Sequence, residues 1–189
     1  MSHMSHQIFG FNFLLSRLHI WVSLSLIMML QACSVAPPKG LSVVTPFDIQ
    51  RYEGTWYEIA RLDHFFERDM IDVTAHYSAQ ENGTVTVLNR GFDTQKKEWK
   101  EAVGKAFFTG KTNQGSLKVS FFGPFYGGYH VIALDPDYQW SMIAGPDRSY
   151  LWILAREKNL APSVREKLIQ QARSFQFPTE NLIWVPHRQ

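Results

Sequence analysis

The stretch Gly115-Ser-Leu-Lys-Val-Ser-Phe-Phe122 alternates apolar Leu117, Val119 and Phe121 with polar Ser116, Lys118 and Ser120. A period of two belongs to an extended strand whose successive side chains point to opposite faces, one into a core and one into water. The chain on both sides reads the same way. Thr84-Val-Thr-Val-Leu88 follows Glu81-Asn82-Gly83, and Asn-Gly is a strong hairpin signal because both residues tolerate positive φ. Further runs of this type cover approximately 54–62, 71–79, 97–108, 128–135, 140–145 and 149–156. Turn chemistry separates them at Asp93-Thr94, Gly110-Lys-Thr-Asn113, Asp135-Pro-Asp137 and Gly145-Pro-Asp147.

Eight strands result, and their joins are too short to hold crossover helices, so neighbours pair sequentially and antiparallel. Eight strands can close on themselves and leave an interior for a small ligand. A two-sheet sandwich fits the strand count nearly as well, and periodicity alone leaves that choice open. One helix follows. Pro162 suits a first helical turn, and Val164, Leu168, Ala172 and Phe175 form one stripe that would pack on the outside of the sheet. Pro178 ends that segment, and Asn181-Leu-Ile-Trp-Val-Pro186 reads as a final short strand.

Of the 189 residues, 45% are apolar and 19% charged, the balance of a folded domain. The net charge of +2 comes with no basic run, which argues against a nucleic-acid footprint. His64, His76, His130 and His187 lack metal-ligand spacing, and there is no Gly-x-Ser-x-Gly elbow or phosphate loop, so neither a metal nor a cofactor is expected. Glu58 and Asp63, at the two ends of one strand, read as ordinary polar strand and loop residues.

The N-terminus has a different character. Residues 1–32 carry one formal charge, Arg17, ahead of an apolar stretch from Leu18 to Leu30. That stretch is shorter than the roughly 20 residues of a membrane span but suits the core of a signal peptide. It ends in Leu30-Gln-Ala-Cys33, which resembles the lipobox of bacterial lipoproteins. The resemblance implies that Cys33 is lipidated and begins the mature chain; a signal peptide cut without lipidation is the other reading. Cys33 is the sole cysteine, so a disulfide within the chain is impossible. The expected organisation is a removed leader over 1–32, a lipidated N-terminus and tether over 33–46, and one domain over 47–189.

Within that domain Gly54-Thr55-Trp56, set between Phe47-Asp-Ile-Gln-Arg-Tyr-Glu53 and Tyr57-Glu-Ile-Ala-Arg61, resembles the opening motif of the lipocalin family, in its bacterial and apolipoprotein D-like branch. Asp135 in Leu134-Asp-Pro-Asp-Tyr138 resembles the family's second motif, a turn between the sixth and seventh strands, although its spacing to the aromatic departs from the usual form. Arg156, closing Tyr150-Leu-Trp-Ile-Leu-Ala-Arg156, resembles the third. Val119-Ser-Phe-Phe-Gly-Pro-Phe-Tyr-Gly-Gly-Tyr129 is similar to the bacterial outer-membrane members. The resemblance implies an all-β, eight-stranded antiparallel up-and-down barrel with one C-terminal helix outside and a short final strand. It implies no enzyme. The thiol-dependent isomerase of the family needs a cysteine inside the barrel, and Cys33 lies upstream of it.

A physical reason connects the three motifs. With strands alternating in direction, the starts of the first and seventh and the end of the eighth share one end of the barrel. There Trp56 can plug the base, Arg156 can stack on the indole, and Gly54 leaves room for the crossing. The opposite end holds loops near 63–70, 92–97, 121–128 and 145–149. The third of these is aromatic, and it reads as a lip over a ligand, a patch touching membrane or a partner, or simple loop packing. With Arg156 directed to the base, Leu154, Trp152 and Tyr150 share its inward face; Leu117, Val119 and Phe121 form the inward set on the fifth strand.

From the resemblance, Trp152 and Tyr126 are expected to touch the ligand, a fatty acid or lysophospholipid, with Lys97 or Arg148 near the mouth to meet an anionic head. It further implies a homodimer and an outer-membrane location, anchored through Cys33 and facing the periplasm. A barrel that serves as a structural or interaction protein, with little ligand inside, is the competing reading.

Overall fold

The computed structural model describes residues 35–188, so the proposed leader and Cys33 lie outside the described residues. A short helix α1 (Ile49–Tyr52), capped by the Asp48 carboxylate on Gln50 N–H, turns the chain into the sheet. Eight strands then follow, β1 (Gly54–Arg61), β2 (Met70–Ala79), β3 (Val85–Asp93), β4 (Glu98–Phe108), β5 (Ser116–Phe122), β6 (Phe125–Leu134), β7 (Trp140–Ala144) and β8 (Leu151–Ala155). Each pairs antiparallel with the next, and β8 pairs with β1, which also pairs with β2. The sheet therefore closes into a barrel, and the sandwich is excluded. Closure removes both sheet edges.

Two features depart from simple parity. A β-bulge interrupts the β1–β8 register between Glu58 and Ala60. It shifts the alternation by one residue, so that Arg61 joins Glu58 on the inner face and Ile59 and Ala60 pack outward. Near the mouth β1 also leaves β2. Its last residues, Ala60 and Arg61, pair with the short β9 (Ile183–Trp184), and Asp72 N–H donates to Pro186 O. The C-terminal strand thus fills the gap where the first two strands splay.

Helix α2 (Pro162–Ser174) starts with proline at its first turn and buries Leu168 and Ala172 completely. They pack on Trp140, Met142 and Ile153, the outward residues of β7 and β8, as the stripe predicts. Burying a leucine this way contributes about 1.5–3 kcal/mol.

The segment before α1 is not a free tether over residues 35–46. Val44 accepts from Gly115 N–H and donates to Val131 O, while Pro38 is buried and Leu41 and Val44 pack on the core. Its apolar residues and paired backbone hold it on the barrel. The hairpin after β5 is also tighter than the sequence implies. Strand structure continues to Phe122 and resumes at Phe125, leaving only Gly123-Pro124 as the turn.

Candidate functional site

The base of the barrel is built from the three motif residues. Trp56 is wholly buried and donates its indole N–H to Tyr52 O at 2.8 Å. The Arg156 guanidinium lies 3.9 Å from the Trp56 ring centroid. It also donates to the carbonyls of Thr55, Arg51 and Glu53 at 2.8–2.9 Å and to Tyr138 O at 3.4 Å. Gly54 has φ +90° and a Cβ there would stand 3.4 Å from Arg156 Nη1, so both backbone and space favour glycine.

Asp135 closes the β6–β7 turn by accepting from Asp137 and Gln139 N–H. The aromatic of that turn is Tyr138, at φ +59°. Its hydroxyl accepts from Asp48 N–H, and the Arg51 guanidinium sits 4.2 Å from its ring.

Above Trp56 the floor is aromatic and hydroxylated. Tyr129 Oη lies 2.8 Å from both Tyr52 Oη and Tyr77 Oη, and Tyr52 Oη lies 3.0 Å from Ser141 Oγ. Burial pushes the Tyr52 hydroxyl up to about 12 and those of Tyr77 and Tyr129 well above their ordinary value, so the trio stays neutral. The wall above it carries Val119, Phe121, Leu154 and Trp152, all in the inner cluster. Gly104 faces Phe121, and a Cβ there would come within 2.8 Å of its ring, so the glycine is what lets this phenylalanine lie inside.

Two of the expected contact residues need correction. Tyr126 does not join the inner set: Val119 pairs with Gly127, which turns Tyr126 to the outer face, 6.0 Å from the Phe107 ring and 4.8 Å from Lys118 Nζ. Arg148 is occupied elsewhere, donating to Phe175 O at 2.7 Å and Lys39 O at 3.0 Å, where it ties the end of α2 to the N-terminal segment. Lys97 is an exposed turn residue at φ +56°. Tyr150 precedes β8 and stacks on His64 with centroids 4.2 Å apart.

The inner mouth holds a polar group that strand patterning did not reveal. Arg61 and Glu58 are 2% and 4% exposed, and Arg61 Nη1 donates to Glu58 Oε1 at 2.8 Å. Arg61 Nη2 donates to the carbonyls of Glu67 and Met70. The Glu67 carboxylate accepts from Trp152 Nε1–H at 3.0 Å and faces the Glu58 carboxyl. Burial raises both carboxyls, Glu58 well above the ordinary range, with the Arg61 guanidinium opposing the shift. Arg61 Nε and His64 Nε2 are buried with no hydrogen-bond partner. Glu58 was legible as an inward residue, two positions after Trp56; Arg61 was not, because the bulge changes its face.

Around this cluster the rim is aromatic. Phe65 and Phe66 on the β1–β2 loop are 83% and 52% exposed, and Phe122 and Phe125 on the β5–β6 hairpin are 79% and 68% exposed. A groove of about 560 Å³ lies on the outer face, between residues of β1–β4 such as Thr55, His76 and Trp99 and the C-terminal Arg188. Among the described residues no cluster of His, Cys, Asp or Glu is placed to hold a metal. No described helix is long and apolar enough to cross a membrane.

A closed eight-stranded barrel with its N-terminal Trp plugged by a C-terminal Arg is a lipocalin arrangement, and a lipocalin-like domain model matches residues 47–187: the chain belongs to that family. It falls in the bacterial outer-membrane lipoprotein branch. The outer membrane lipoprotein Blc of Citrobacter freundii is 50% identical over 155 residues, covering 82% of this chain and 88% of that protein. Its namesake in Vibrio cholerae is 43% identical over 159 residues, covering 84% and 92%. Among solved structures, insecticyanin from the tobacco hornworm superposes with a TM-score of 0.66 at 20% identity, over 82% of this chain and 89% of that one. The family and the names of its bacterial members mark a lipoprotein that binds a hydrophobic ligand and point away from an enzyme.

Proposed function

We propose that this lipocalin carries an acyl lipid, a fatty acid or a lysophospholipid, with the chain inside the barrel and the head at the mouth, while lipidated Cys33 ties it to the periplasmic face of the outer membrane. One observation carries the reading. Between a sealed, aromatic base and a polar mouth, the inner wall presents Val119, Phe121, Leu154 and Trp152. Such a gradient suits an amphiphile whose tail is buried and whose head stays near water.

The unit from residue 35 onward holds the barrel and both core clusters of the described residues, so its binding is measurable without the anchor. Native and denaturing mass spectrometry of the purified domain, residues 34–189, should reveal co-purified lipid. Titration with oleate and lysophospholipid should quench or shift Trp fluorescence and saturate at one ligand per barrel, or one per dimer. In Trp152→Ala the affinity should fall about tenfold to a hundredfold, about 1.4–2.7 kcal/mol, while folding is retained. An empty domain that ignores every acyl lipid would defeat the proposal. It would leave the exposed Phe65, Phe66, Phe122 and Phe125 as a docking surface, the interaction reading.

A further inference from the structure

The mouth cluster contains more donors than its own residues satisfy. Arg61 is almost wholly buried, yet its Nε–H has no acceptor, and an orphaned donor of a charged group is costly. Two carboxyls face it, Glu58 from its own strand and Glu67 from the loop that leads into β2, with the Asp63 carboxylate and the His64 imidazole of the same loop also within its field. Glu67 sits on that loop, between exposed Phe66 and exposed Arg68, and is itself only partly buried. Its carboxylate reaches inward to Trp152 Nε1–H on β8, across the mouth, and its carbonyl accepts from Arg61 Nη2. A loop carboxylate thus holds the half-buried Trp152 N–H, beside Arg61, the cross-strand partner of Trp152.

We propose that Glu67 is a resident stand-in for the ligand's anionic head group: an acyl ligand bearing a carboxylate or phosphate displaces the Glu67 side chain from Trp152 and is held there by Trp152 Nε1–H and the Arg61 guanidinium. This rests on the acyl-carrier reading and names its head-group subsite. Displacement of the side chain frees the Trp152 N–H, which with the unpartnered Arg61 Nε–H offers two donors at the mouth, while Arg61 Nη2 stays on the Glu67 and Met70 carbonyls. The exchange also keeps the charge of the site unchanged, because one anion leaves as another arrives while Glu58 stays paired with Arg61. An uncharged head returns only neutral acceptors for the charge-assisted hydrogen bond it breaks. The rim cations Lys97 and Arg148 have no part in this recognition.

The test is a set of titrations of the domain with three ligands that share one acyl chain: oleate, an oleoyl lysophospholipid, and monoolein as the uncharged control. The wild type should bind the anionic ligands about tenfold or more tighter than monoolein. Glu67→Ala, which removes the competitor, should tighten the anionic ligands by a further factor of about ten. The double variant Glu58→Gln/Arg61→Met removes the cation without stranding a carboxylate, and it should lose the preference while keeping its monoolein affinity. Should the double variant fail to fold, the Trp152 indole N–H resonance of the wild type reports directly, moving with oleate or lysophospholipid and not with monoolein.

Preference for oleate alone identifies a carboxylate source, and preference for the lysophospholipid alone a phosphate source. Equal binding of all three ligands, or a preference that survives loss of Arg61, would overturn the head-group subsite and leave the carrier reading standing. Binding of none of them would remove both.

Discussion

The two ends of the barrel hold arginines in opposite ways. At the base Arg156 spends its donors on four backbone carbonyls and lays its face on Trp56. At the mouth Arg61 is buried more deeply, divides its donors between the Glu58 carboxyl and the carbonyls of Glu67 and Met70, and leaves Nε–H unanswered. The Trp residues repeat the contrast. Trp56 donates to a main-chain carbonyl four residues back, a partner that cannot leave, whereas Trp152 donates to a side chain on a loop 85 residues away in sequence. A base tied by backbone is a permanent closure. A mouth tied by one exchangeable carboxylate can be reopened, and the stability it forgoes is what a ligand can restore.

Breaking the base should cost most. Trp56→Ala should lose about 3–5 kcal/mol, since it empties a fully buried site and strips Arg156 of its stacking partner; a denaturant midpoint unmoved by this change would contradict the plug. Arg156→Met keeps the volume but strands carbonyls and the ring contact, and about 2–3 kcal/mol should be lost by the same measurement.

The mouth should respond to pH instead. Burial raises Glu58 and Glu67, so the folded state binds protons on these carboxyls more tightly than the unfolded chain does. That contribution is complete below the ordinary carboxylate range and is lost as pH rises through the raised one. Wild-type melting temperature, measured at a series of pH values, should therefore decline with rising pH relative to Glu58→Gln, whose amide does not titrate. Parallel curves would contradict the raised carboxyls. Smallest of all, Phe122→Ser with Phe125→Ser should change stability by less than about 0.5 kcal/mol, because both rings are already in water.

The same division governs what could be read from sequence. Strand alternation and short turns led to eight antiparallel strands, and the α2 stripe led to its packed face. They could not decide between sandwich and barrel, since closure is set by the β8–β1 pairing between residues about a hundred positions apart. The base was legible because Gly54, Trp56 and Arg156 sit at fixed strand ends, where direction alone brings them together.

The mouth was not. One bulge at Glu58/Ala60 turns Arg61 inward, and parity counted along the strand places it on the wrong face. Tyr126 was misplaced for a related reason: a register shift between Val119 and Phe122 sets Val119 opposite Gly127 and so turns Tyr126 outward. Arg148 looked like a rim cation because its acceptors, Phe175 and Lys39, come from distant parts of the chain. Long-range pairing and irregular backbone decide such contacts, and neither has a local period.

The central claim is that the ligand lies inside the barrel, between the aromatic floor and the mouth cluster. A fatty acid carrying a photoactivated diazirine midway along its chain, irradiated in complex with the domain and mapped by peptide mass spectrometry, tests it most directly. Crosslinks are predicted on inward residues, Phe121, Val119, Leu154 and Trp152, and should disappear when excess oleate competes. Crosslinks confined to outward residues such as Tyr126, Phe107 or Trp99 would contradict the account and place the lipid on the surface.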